Sequence, residues 1–295
     1  MSKTKAIAEK LPWTDRAGRF SPLKATTLIL VSLPALWLLY RTVFLGLGAR
    51  PITEAIHRVG DWTVYLLLIT LAVTPARRLF DMPKLIHVRR ILGLSAFFYI
   101  ALHFVFYVID SKFDVLFIGS EIVLRVYLLI GFAAMIGILL LAVTSTDGWI
   151  KRLGAMKWNR LHKAIYVITA LGILHYYMQS KVDVSSPVLM TGFFYWLMGY
   201  RMMAKRGYKE GLVPLVVLSV SAALLTALTE AAWYGIASGA PADRVLLANL
   251  DFSFSIRPAW WVLFTGLGVT AVAELRKRLR IGGSPRGATP AGRTA

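Results

Sequence analysis

Residues 89–109 read RRILGLSAFFYIALHFVFYVI: two arginines, then nineteen residues whose only imidazole is His103 and which contain no Asp, Glu, Lys or Arg. As a helix, nineteen residues at ~1.5 Å each extend roughly 28 Å, close to the thickness of a bilayer's hydrocarbon core. Apolar side chains fall on every side of that helix, so it has no face to offer water and must be enclosed by protein or lipid. Arg89 and Arg90 stand where the run begins, as cations do at a membrane boundary.

Working outward, the same pattern recurs. Apolar runs cover Thr26–Phe44, Trp62–Thr74 (extending back through Arg58), Ile122–Val143, Leu161–Met178, Pro187–Met203, Leu212–Ile236 and Trp260–Ala273. With 57% hydrophobic and 17% charged residues, the 295-residue chain holds more apolar helix than a water-soluble fold can hide. The fold expected is all-α, a polytopic membrane bundle of about eight transmembrane helices. The first run is too long for a signal-peptide core and is expected to be retained. Residues 1–24 form a basic segment containing Lys3, Lys5, Lys10, Arg16, Arg19 and Lys24; residues 281–295 are expected to form a disordered tail.

The formal net charge of +19 suggests nucleic acid, but its distribution argues for lipid as the partner. Alternate connections carry Arg77, Arg78, Lys84, Arg89 and Arg90; Lys151, Arg152 and Lys157; Arg201, Lys205, Arg206 and Lys209; and Arg276, Lys277, Arg278 and Arg280. The opposite connections hold the acids Glu54, Asp61, Asp110, Asp114, Glu121, Asp183, Asp243 and Asp251. By the positive-inside rule the first set and both termini are cytoplasmic.

The chain has no cysteine, which excludes iron–sulfur clusters, covalently attached heme and disulfides. Any metal ligands come from His, Met or Tyr, and the histidines are His57, His87, His103, His162 and His175. The third and fifth spans both run outward. His103 lies thirteen positions beyond Arg90, and His175 thirteen beyond His162. Each step is roughly 20 Å of helix, so His103 and His175 fall at one depth on parallel helices. That is the requirement for an axial pair on a non-covalent, b-type heme.

His162 marks a second, inner level, with His87 as its candidate partner across a looser sixteen-residue step to His103. Alternatives stay open: His162 reads either as a ligand or as a hydrogen-bond bridge between helices, and His87 and His57 also read as interfacial residues. The aromatic residues around His103 suit either a porphyrin or the ordinary interfacial belt. Arg89, Arg90, Arg160 and Lys163 lie where propionates or a flavin phosphate would sit, or serve topology alone.

Several stretches stand out in order: Gly48-Ala49-Arg50-Pro51, Thr74-Pro75-Ala76-Arg77, Arg89 to Leu94 leading to His103, Thr144-Ser145-Thr146, Trp158-Asn159-Arg160-Leu161-His162 running into Tyr166, and His175-Tyr176 followed by Lys181. Together they resemble the MsrQ (YedZ) family of heme-binding membrane subunits and, more distantly, ferric reductase-like transmembrane domains. The resemblance implies a six-helix heme-binding domain over residues 25–205, with 206–280 as an extension of two further spans. It implies that His103, His162 and His175 are the heme-associated histidines, that FMN is a second cofactor, and that the protein sits in a bacterial inner membrane. It further implies electrons drawn from the quinone pool or a cytoplasmic flavin reductase, and passed to a periplasmic molybdopterin-dependent methionine sulfoxide reductase subunit (MsrP-like). No catalytic acid, base or nucleophile is evident in the chain.

Two other readings remain at this stage. A ferric reductase-like carrier with another acceptor would use the same histidines. A transporter or structural bundle would use them as bridges or proton relays instead.

Overall fold

A computed structural model describes residues 11–282 except Arg16, Lys181, Val182, Lys209 and Phe254. Lys3, Lys5, Lys10, Arg16, Lys181 and Lys209 therefore lie outside the described residues, as does the expected tail save Ile281 and Gly282, which end the last helix instead.

Among the described residues the chain is helical, and the only β pairing is an isolated bridge between Thr14 and Phe20. The helices are α1 (Pro22–Tyr40, running into a π-turn at Arg41–Leu45), α2 (Pro51–Leu79), a 3-10 turn (Pro83–Val88), α3 (Arg89–Asp110) and α4 (Val115–Leu124). They continue as α5 (Val126–Val143), α6 (Asp147–His162), α7 (Ile165–Gln179), α8 (Ser185–Lys205), α9 (Leu212–Ser238), α10 (Ala242–Leu247) and α11 (Pro258–Gly282). Proline opens α1, α2 and α11, where its missing N–H costs nothing and its fixed φ suits the first turn. Asp114 caps α4 by accepting from the Phe117 amide at 2.9 Å.

All eight expected segments are helical, with three differences. Six are long and apolar enough to cross a membrane by length and composition: Pro22–Leu45, Pro51–Leu79, Pro83–Asp110, Val126–Val143, Leu212–Ser238 and Pro258–Leu279. The other two are α7, which has only 15 residues, and α8, which is less apolar. Secondly, the fourth segment breaks at Arg125, whose backbone is extended while its side chain reaches back to Glu121 at 2.6 Å. Thirdly, the fifth begins at Ile165, and His162 ends a separate helix, α6, that is itself interrupted at Gly154, where φ is +71°. Only glycine adopts that conformation without strain. Glu54 and Asp61, expected in a connection, lie within α2.

Outward-facing side chains are apolar along whole helices: Ile29, Leu30, Leu33 and Leu36 on α1, and Val213, Val217, Leu224 and Leu228 on α9. Such surfaces need lipid as their solvent, and the protein is a membrane protein. Inside, α2 and α3 form an antiparallel hairpin packed through Val59, Leu71 and Ala96. Helix α5 runs antiparallel to α7, and α8 is enclosed by α2, α7, α9 and α11. Buried hydroxyls on Thr63, Thr70, Thr169, Ser219, Thr226 and Thr270 donate to carbonyls one turn back, so none is left unpaired.

Pro34 interrupts α1. Beside it the Tyr99 hydroxyl of α3 accepts from the Ala35 amide at 3.0 Å and donates to the Val31 carbonyl at 2.8 Å. The phenol is thus a rung of the α1 ladder supplied by another helix.

Candidate functional site

His103, on the α3 face turned toward α2, and His175, near the C-terminal end of α7, meet in the bundle. Their ring centroids are 6.3 Å apart and their planes cross at 86°. Each ring is held from behind. His103 Nδ1 lies 2.8 Å from the Ile56 carbonyl of α2, and His175 Nδ1 lies 2.8 Å from the Tyr127 carbonyl of α5. A carbonyl can only accept, so both Nδ1 atoms carry the proton and the free lone pair of each imidazole is on Nε2.

That arrangement fits one chemistry well. Two imidazoles binding one metal through Nε2 at about 2.0 Å, with each ring centre ~1.15 Å beyond its nitrogen, hold their centroids about 6.3 Å apart. Among the described residues no group of three or more His, Cys, Asp or Glu could hold a bare metal ion. Two imidazoles without a third such side chain suit a metal whose other positions are filled by a macrocycle, as in an iron porphyrin.

The other sequence-derived candidates separate. His162, at the end of α6, stacks on Trp158 with centroids 4.0 Å apart and planes at 26°. Its Nε2 is 3.2 Å from Thr144 Oγ1, while Trp158 Nε1 donates to the Thr144 carbonyl at 2.8 Å. Burial, helped by the nearby Arg89 charge, pushes the His162 pKa below the usual imidazole value. His87 lies exposed in the 3-10 turn, and no contact with His162 is recorded among the described residues. His162 is half-buried, whereas His87 stays at the surface. His57 is exposed on α2.

Arg89 is half-buried, with Tyr166, His162 and a second guanidinium, Arg201, as its electrostatic neighbours. Arg201 of α8 donates to the Leu197 carbonyl at 2.8 Å and the Leu71 carbonyl at 2.5 Å, and lies over the Tyr166 ring at 5.4 Å. Arg90 instead pairs with Asp147 at 2.6 Å on the surface, and Arg160 and Lys163 are exposed. Sequence reasoning missed Arg201 because a cation closing an apolar run reads as a topology signal. It also missed Gly60 and Gly131, which lie against the two imidazoles.

Comparison with known proteins places the chain among membrane subunits. The family described as "Ferric reductase like transmembrane component" matches residues 59–173, a span that includes His103 and His162 and ends two residues before His175. A protein-methionine-sulfoxide reductase heme-binding subunit MsrQ of Caulobacter vibrioides is 41% identical over 174 residues, covering 59% of this chain and 83% of that protein. The MsrQ of Rhodospirillum rubrum is 39% identical over 202 residues, 68% of this chain and 95% of that one. The MsrQ of Herminiimonas arsenicoxydans is 47% identical over 146 residues, 48% of this chain and 67% of that one. No solved structure matches. With identity at this level over nearly the whole of a relative, the chain belongs to the MsrQ family of membrane subunits and contains its ferric reductase-like transmembrane part.

Proposed function

We propose that this protein is a membrane electron-transfer subunit in which His103 of α3 and His175 of α7 would hold heme b. The observation that carries the reading is the 6.3 Å separation of two imidazoles whose Nδ1 atoms are both tied to main-chain carbonyls. When bound, the heme supplies reversible one-electron chemistry at iron. The chain's own residues do the rest. The Ile56 and Tyr127 carbonyls fix the tautomer and the ring direction, and the surrounding apolar helices keep water from the site.

His162, stacked on Trp158 and flanked by Arg89, marks the inner level at which electrons enter; Thr144 holds its ring in place of a second histidine. Arg89 and Arg201, with Arg160 and Lys163 nearer the surface, give that end the positive charge suited to propionates or to the phosphate of FMN, the second cofactor in this reading. His87 has no part in it. The donor is the quinone pool or a cytoplasmic flavin reductase. The acceptor is a periplasmic, molybdopterin-dependent subunit of the MsrP kind that reduces methionine sulfoxide in proteins. The cation-rich connections support placement in a bacterial inner membrane with both termini cytoplasmic. Residues 25–205 form the heme-binding unit, and 206–280 an added helical hairpin.

The test is a visible spectrum of the protein purified from heme-replete cells. A Soret band that shifts on dithionite reduction is expected. His103→Ala and His175→Ala should each abolish it, and His57→Ala should not. A colourless wild-type preparation would overturn the reading.

A further inference from the structure

The two imidazoles are seated by the same device, used twice. The carbonyl that accepts from His103 belongs to Ile56, and four residues further along α2 is Gly60. The carbonyl that accepts from His175 belongs to Tyr127, and four residues further along α5 is Gly131. In an α-helix a carbonyl is bonded along the axis to the N–H four residues later, which leaves its second lone pair directed sideways. Each Cβ leans toward the helix N-terminus, so the side chain at that later position overlies the lone pair and hides it. A glycine there uncovers it.

The distances make the point quantitative. A Cβ added to Gly131 would lie 2.7 Å from His175 Nδ1, 2.8 Å from Cε1 and 3.1 Å from Cγ. A Cβ added to Gly60 would lie 3.0 Å from His103 Nδ1 and 3.2 Å from Cε1. Neither glycine has a positive φ, so backbone conformation does not call for it. Glycine is also a poor helix former, and its place within these helices needs a packing reason. The glycine-to-histidine separations, 43 and 44 residues, are nearly equal, so two helix pairs, α2 with α3 and α5 with α7, present one ligand each in matching fashion.

We propose that Gly60 and Gly131 are positioning residues: each uncovers a main-chain carbonyl that holds a histidine Nδ1–H and aims its Nε2 at the shared metal. The inference rests on the reading of His103 and His175 as heme ligands, and it assigns to the two glycines the precision of that pair. A methyl group at either position pushes the ring off its carbonyl, releases the tautomer and turns Nε2 away.

Gly60→Ala and Gly131→Ala are compared with Gly119→Ala and Gly268→Ala, where an added methyl meets nothing within 4 Å. Three quantities are read on the full-length, detergent-solubilised protein: heme per chain, midpoint potential, and the histidine side-chain nitrogen-15 spectrum of the dithionite-reduced, diamagnetic form. The expected result is heme retention weakened by about 10- to 100-fold for Gly131→Ala, the range typical of a lost outer partner to a metal-bound histidine, and less for Gly60→Ala. The heme that remains has a shifted potential. The hydrogen-bonded Nδ1–H signal, assigned with His103→Ala and His175→Ala, is lost or moved in the matching glycine variant alone. Both control variants match wild type.

If both glycine variants keep wild-type heme content, potential and Nδ1–H signals, the inference is overturned while the ligand reading stands. If His103→Ala or His175→Ala retains full heme, the ligand reading fails. The Nδ1–H signals then still decide the seats, since loss of the signal in the glycine variants upholds the carbonyl contact and its persistence refutes it.

Discussion

Tyr99 and His103 leave α3 one turn apart and reach opposite neighbours: the phenol enters the α1 ladder at Val31 and Ala35, and the imidazole meets the Ile56 carbonyl of α2. One turn of α3 therefore fastens two helices to the candidate heme site, each through main-chain groups rather than side-chain pairs.

Tyr99→Phe removes the rung and strands the Ala35 amide and the Val31 carbonyl beside Pro34 in an apolar setting. The expected cost is about 1–3 kcal/mol, that of buried groups losing their partner. Thermal unfolding in detergent checks it. The heme spectrum should hardly change, because the His103 and His175 seats lie on other helices.

Arg201→Lys is expected to behave like Arg201→Gln rather than like wild type. The guanidinium reaches two carbonyls on different helices, Leu71 and Leu197, while lying over Tyr166. A lysine ammonium is a point donor without that fork. Protease sensitivity of the α2–α8 contact and the potential of any inner redox centre are the measurements.

Trp158→Phe keeps a ring under His162 but loses the bond to the Thr144 carbonyl, and Thr144→Val removes the hydroxyl at His162. The two changes act on one small network, so their effects on stability should be non-additive, with a coupling of roughly 0.5–1.5 kcal/mol in a double-mutant cycle. Strict additivity would mean that the stack and the hydroxyl hold His162 independently.

Arg257→Leu should destabilise more than Glu230→Gln. Glu230 is 1% exposed and meets Arg257 at 3.3 Å, with Asn249 as a second donor. Removing the cation leaves a carboxylate buried without its counter-charge, which costs ~3 kcal/mol, the low end of the usual range because Arg257 is partly exposed. Glu230→Gln keeps a hydrogen-bonding group and removes the charge. Comparative melting of the two variants decides the order.

The helical segments and the matched depth of His103 and His175 were legible because bilayer thickness imposes a length, and cations punctuate it. The break at Arg125 and the end of α6 at His162 were not, since both lie inside apolar or mixed runs whose average hydropathy conceals a local turn. The acceptors behind the ligand rings had no signature at all. Ile56 and Tyr127 act through carbonyls that every residue possesses, and only the glycines four positions on betray which carbonyls are open. Arg201 was hidden for the opposite reason: its residue type has a commoner explanation at the end of a span. The exposure of His87 was not legible either, because sequence spacing fixes depth along an axis but not which way a connecting turn faces.

The Glu230–Arg257 pair bears on how the chain is made. The acid sits in α9, and its cation arrives 27 residues later, just ahead of α11. A ribosome delivers α9 to the insertion machinery with that carboxylate unmatched, although the helix is apolar enough to enter lipid on its own. The ion pair closes only once Arg257 has followed, and a chain cut after Ser238 would hold an acid without its counter-charge in its last helix.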